Sequence, residues 1–151
     1  MKKIFILTGI SAFLILSCVG SPGIVFDDSV PTEQTAWFYS SNIGKITGYN
    51  GIAVDWKPRA AEFVQIPAGD TLLELDVDTV SGNYNYKGKD MAFNFGFKPM
   101  KKYMFLFQSK DGVYGLNVYA YDFEEKITST RSDNDTHFVA FVPFLNAKSG
   151  K

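Results

Sequence analysis

The sequence predicts an all-β protein: a single antiparallel β-sandwich of about eight or nine strands, with a small β-barrel as the alternative closure. Three observations lead there. Fourteen Phe, eight Tyr and two Trp in 151 residues suit the pleated, half-buried surface of a strand. Short β-prone runs alternate apolar and polar residues, and turn signals separate them. Behind the first eighteen residues no stretch repeats apolar positions at helical spacing.

The chain opens with Lys2 and Lys3. An apolar run over residues 4–16 follows, broken only by Thr8, Gly9 and Ser11, and then Ser17-Cys18. A basic start and an apolar run shorter than the ~20 residues of a membrane span describe a secretory signal peptide. Cys18 is the one cysteine, so the domain must fold without an internal disulfide even where export would permit one.

Ile15-Leu16-Ser17-Cys18 resembles the lipobox of bacterial lipoproteins, with an apolar residue three before the cysteine and a small one directly before it. In that family the thiol receives a diacylglycerol, the leader is cut before the cysteine, and the new amine is usually acylated. The resemblance implies a cleaved signal over residues 1–17, Cys18 as the lipidated N-terminus, and a membrane partner reached through that lipid. Two or three chains anchor stably at roughly 0.8 kcal/mol per buried CH₂. Val19 rather than Asp follows the cysteine, which in bacteria that sort by this position favours the outer membrane over the inner. The resemblance covers residues 1–18 and implies no activity for the rest.

Residues 18–35 form a Gly/Ser/Pro-containing tether in which Ile24, Val25 and Phe26 are β-prone enough for a short edge strand. The domain proper spans 36–145, and residues 146–151 are expected to fray. Residues 36–40 are the first clear strand. Residues 45–48 and 52–56 flank Tyr49-Asn50-Gly51, a hairpin signal because both central residues must accept positive φ. Residues 62–66 and 71–80 are expected to pair across Pro67-Ala68-Gly69-Asp70, where Pro presets one corner and Gly supplies the other. In the second of these, Leu73, Leu75 and Val77 oppose Glu74, Asp76 and Asp78. Residues 81–90 are polar and predict a loop. Residues 91–97 alternate, with Phe93, Phe95 and Phe97 on one face. Residues 103–107 are apolar on both faces, as in a central strand, and meet 113–122 through Lys110-Asp111-Gly112. Residues 123–136 predict a charged loop and 137–144 a closing strand. Val64-Gln65-Ile66-Pro67-Ala68-Gly69 is similar to the strand-and-turn of small β-sandwich domains in bacterial lipoproteins, a likeness that carries no functional residue across.

The composition limits the function. Loss of Lys2 and Lys3 with the leader leaves 13 basic against 16 acidic residues, which gives no basic footprint for nucleic acid. The single histidine, His137, opens an apolar strand with no nucleophile-elbow motif elsewhere in the chain. One His and a lipidated Cys cannot furnish a zinc site, and no metal or other cofactor is expected. Glu74, Asp76 and Asp78 stand ~6–7 Å apart along one strand face. They read first as a solvated face, and as the alternative a calcium-dependent or carbohydrate-active enzyme would use them. A third reading is an apolar-ligand carrier with the Phe-rich strands lining a cavity. The leading expectation is non-enzymatic: an envelope module that binds a protein or a glycan. Tyr49, Trp56, Tyr84 and Tyr86 are its candidate surface, with Asn83 and Asn85 beside the last two.

Overall fold

A computed structural model describes residues 24–25, 27–39, 44–57, 63–81, 84–127, 132 and 134–146. Among these lie ten strands: β1 (Ile24–Val25), β2 (Thr35–Tyr39), β3 (Lys45–Tyr49), β4 (Ile52–Trp56), β5 (Phe63–Pro67), β6 (Gly69–Ser81), β7 (Tyr84–Phe97), β8 (Lys101–Lys110), β9 (Val113–Asp122) and β10 (Phe138–Pro143). They form two sheets, ordered β1-β5-β2-β8-β9-β10 and β4-β3-β6-β7. The sheets face each other and do not close into a barrel, so the molecule is an all-β sandwich.

The inner faces carry the alternating apolar residues. Phe38, Val64, Ile66, Phe105, Leu116 and Val118 of the six-stranded sheet meet Ile46, Leu73, Leu75, Val77, Phe93 and Phe97 of the four-stranded sheet, all buried. The Phe105 ring lies 5.5 Å from that of Phe93 and 6.0 Å from that of Phe97, at tilted to edge-on angles, the geometry that aromatic quadrupoles prefer. Rings therefore fill the space between the sheets. Phe144, just past β10, crosses from one sheet toward the other and packs edge-on against Phe93.

The two tight hairpins form as expected. Asn50 and Gly51 take φ of 49° and 80°, and Asp111 and Gly112 take 51° and 79°, so both turns are of the kind that matches strand twist. β8 lies centrally between β2 and β9.

Two expectations are corrected. The strand at 62–66 does not pair with that at 71–80. β5 pairs with β2, Thr35 opposite Pro67, and with β1 in parallel, whereas β6 pairs with β3 and β7. Pro67, Ala68 and Gly69 carry the chain between sheets. The Ala68 N–H donates to the Gln34 carbonyl at 2.8 Å and Gly69 takes φ of 128°, so the chain turns across the sandwich and does not fold back on itself. The 81–90 stretch is not a loop. β6 and β7 continue to pair, past a one-residue register shift between Leu75 and Val77, to Ser81 opposite Tyr84, and residues 82–83 lie outside the described residues. β7 is an edge strand, and the lysines and polar residues that make its sequence resemble a loop are those an exposed edge tolerates.

The free edge of β7 is itself covered. The Asn146 amide accepts the Ala92 N–H at 2.9 Å and donates to the Asp90 carbonyl at 2.6 Å, and the Leu145 N–H donates to the Ala92 carbonyl at 2.8 Å.

Candidate functional site

The open depression of the four-stranded sheet lies beside the Pro67–Gly69 corner. It holds about 560 Å³ and is lined by Asn50, Asp70, Thr71, Leu72, Asn94, Phe95 and Gly96. Its shape follows from register. Asp70 stands opposite Gly96 and Leu72 opposite Asn94 across β6 and β7. A side chain at position 96 would place its Cβ 2.9 Å from Asp70 Oδ1, so the missing side chain is what lets the carboxylate lie across the sheet. The β3–β4 turn closes one wall. Asn50 Oδ1 accepts the Leu72 N–H at 2.9 Å, and the Asn50 N–H donates to the Leu72 carbonyl at 2.8 Å. This pins Asn50 and leaves Nδ2 as the end of its amide that can donate outward.

The floor is rigid. Phe95 is half-buried and meets Phe97, Tyr103 and Phe105 edge-on at 5.0, 5.2 and 5.9 Å. Tyr103 is fixed in turn, because its hydroxyl accepts the Lys98 N–H at 2.8 Å. A carboxylate and two amides beside Leu72 can accept from and donate to a polyhydroxylated or peptide-like ligand. None of these side chains is arranged as a nucleophile with its base.

The residues singled out in the sequence are dispersed. Tyr49 is 6% exposed and lies behind the groove wall, next to Asn50. Its ring is 6.4 Å from that of Trp56, and its hydroxyl bonds Thr71, although burial raises its pKa first. Val54 and Trp56 pack against the core, whereas Ile52 is 62% exposed. Tyr86 belongs to the far part of the β6–β7 hairpin, opposite Thr79, about 20 Å along the strand from the register of Tyr49. There it is half-buried against Phe107 and Tyr114, and burial raises its pKa. Tyr84 begins β7 beside it in sequence. The structure thus brings Tyr49 and Trp56 together and sets Tyr86 apart. Cys18 lies outside the described residues.

The acidic row is divided among local partners. Glu74 extends over Gly48 of β3, Asp76 Oδ1 accepts the Asp90 N–H at 3.0 Å, and Asp78 pairs with Lys87 at 3.4 Å. Among the described residues no three His, Cys, Asp or Glu side chains are grouped to hold a metal ion, and no helix is long and apolar enough to cross a membrane.

No family model matches the chain, and neither a curated protein nor a solved structure is significantly similar to it.

Sequence reasoning missed Asn50, Asp70 and Asn94 as a group. Each is an ordinary turn or outer-face residue, and only strand register places them around one depression.

Proposed function

We propose that this chain is a lipid-anchored protein of the bacterial cell envelope, held through Cys18 with the outer membrane favoured, and that its sandwich is a non-catalytic module binding a glycan or a protein partner. The observation that carries the reading is the direction in which the chain enters the domain. β1 runs parallel to β5, Ile24 beside Val64 and Val25 beside Gln65, and β5 runs toward the Pro67–Gly69 corner where the groove lies. The chain therefore enters from the opposite end. The six residues from Cys18 to Ile24 span at most about 20 Å. A lipid on Cys18 would hold the entry end close to the bilayer and leave the groove facing away from it, open to a partner.

The groove chemistry supports binding over reaction. Asn50, Asp70 and Asn94 offer amide donors and a carboxylate acceptor beside Leu72, as sugar hydroxyls require. The enzyme reading would use Glu74, Asp76 and Asp78, of which Asp76 accepts the Asp90 N–H and Asp78 pairs with Lys87, while Glu74 lies over Gly48. The carrier reading would use the space between the sheets, which Phe93, Phe97 and Phe105 fill.

Two measurements test the proposal. Cells fed labelled palmitate should label the wild-type chain and not Cys18→Ala, and equal labelling of both would sink the anchor. A glycan array and a crosslinking experiment on intact cells should each be compared between wild type and Asp70→Ala/Asn94→Ala. Ligands retained equally by both proteins would remove the groove from the account.

A further inference from the structure

The outer face of the six-stranded sheet is not wet. Met104, Tyr119 and Tyr121 are buried there, with Leu106, Ile127 and Phe138 packed against them. Trp37, on the same face, is buried under Phe123, whose ring centroid lies 4.7 Å away. Phe123 and Ile127 belong to the chain leaving β9. Around the single histidine that chain is tied to the turn leading into β10.

His137 has a carboxylate on each ring nitrogen. Nδ1 lies 3.0 Å from Asp135 Oδ1 and Nε2 lies 3.2 Å from Glu125 Oε1. The ring stacks on Tyr121 at 4.5 Å, 15° from parallel, and its backbone carbonyl accepts the Ala120 N–H at 2.8 Å. Both carboxylates are positioned by backbone donors as well. Glu125 Oε2 accepts the Asp122 N–H at 2.7 Å and Asp135 Oδ1 accepts the His137 N–H at 2.8 Å. A neutral imidazole has one N–H and one lone pair, so it can satisfy only one of two flanking carboxylates. The imidazolium satisfies both.

We propose that His137 is a proton-operated clasp that ties the 122–127 turn to the 134–137 turn and so keeps Phe123 over Trp37. Of the two carboxylates only Glu125 joins the turns. Asp135, the nearer at 3.0 Å against 3.2 Å, keeps the remaining proton on Nδ1, where Thr136 Oγ1 also lies at 3.4 Å. Loss of the other proton therefore sets the Nε2 lone pair against Glu125 and opens the tie between the turns.

The surrounding charges act in the same direction. The hydrogen bond with Glu125 first, and that with Asp135 after it, hold the imidazole above its usual pKa. Asp122 faces the site and is itself paired with Lys101, which lowers its pKa. The Lys102 ammonium donates to the Glu125 carbonyl and lies over Phe123. The 122–127 turn also carries Glu124 and Lys126, and the strand beneath the ring carries the Tyr121 hydroxyl. For a group whose folded pKa is raised, stabilisation is complete below the unfolded value of ~6.5 and is lost as pH rises through the folded value. The clasp is therefore closed in mild acid and opens toward alkaline pH.

The test uses the full chain in non-ionic detergent, with Trp56→Phe so that Trp37 is the only indole. The one imidazole is followed by NMR, and Trp37 by acrylamide quenching, from about pH 5 to pH 9. His137 should titrate above ~6.5, and quenching should rise over the same pH interval. Glu125→Gln should lower the titration point. His137→Gln should show, at low pH, the quenching that the histidine-containing chain reaches at high pH. Quenching that stays flat while the imidazole titrates would overturn the proposal, as would a titration at or below that of a free imidazole. If His137→Gln does not fold, the coincidence of the two titrations in the histidine-containing chain decides.

Discussion

The ring of Tyr86 stacks on that of Phe107 with centroids 4.5 Å apart and planes 23° from parallel. Tyr86 belongs to the four-stranded sheet and Phe107 to the six-stranded one, so this pair fastens the long β6–β7 hairpin to the opposite sheet well away from the Pro67–Gly69 corner. Tyr114 joins it at 4.6 Å. Tyr86→Ala should destabilise the domain by about 2–3 kcal/mol, less than a fully buried ring because one side stays wet. Urea unfolding measures the loss, and amide exchange should quicken first toward the hairpin tip. A change within the ordinary range of surface substitutions, about 0.5 kcal/mol, would mean that the stack does not hold the sheets.

Phe93 is fully buried and touches two rings of the opposite, six-stranded side, Phe105 at 5.5 Å and Phe144 at 6.4 Å. Phe93→Ala should cost about 3–5 kcal/mol. Phe93→Leu should cost less, because most of the volume is retained. The difference, read from denaturant midpoints at constant slope, separates packing from a change in the unfolded chain.

Asn146 is the cover on the edge of β7. Asn146→Ala removes the partner of the Ala92 N–H, a donor on a buried residue, and should cost about 1–3 kcal/mol. The bared edge should also recruit other chains. Light scattering should show concentration-dependent association in this variant and none in the wild type at equal concentration.

The groove is open because residue 96 is glycine. Gly96→Val places a side chain against Asp70 Oδ1 on an exposed, extended strand. Stability should change by less than about 1 kcal/mol, whereas any ligand found on the array should be lost. Retained binding would locate the interaction elsewhere on the domain.

The pattern of residues was sufficient for the class and for two of the turns. Asn50-Gly51 and Asp111-Gly112 meet a backbone demand that few residue types satisfy, so local chemistry fixes both hairpins. Pro67-Ala68-Gly69 carries equally strong turn chemistry and misleads, because a turn signal says that the chain changes direction and not which sheet receives it. Here the Gln34 carbonyl and the pairing of β5 with β2 decide. Residues 84–90 were hidden for another reason: an edge strand with a wet outer face has the composition of a loop. Phe95 is visible in the sequence as part of an alternating apolar face, but nothing local marks its neighbours Asn50, Asp70 and Asn94, which come from three elements. His137 likewise reads alone. The spacing Asp135-Thr136-His137 hints at a local bond, but Glu125, twelve residues earlier, is brought to the ring only by the path of the chain after β9.

The central claim is attachment through Cys18 with a binding domain held beyond it. Intact mass spectrometry of the chain extracted from membranes tests it most directly. The expected species is a polypeptide beginning at Cys18 and carrying a diacylglyceryl thioether, absent from Cys18→Ala. A mature chain bearing an unmodified Cys18 thiol, or an uncleaved chain beginning at Met1, would contradict it.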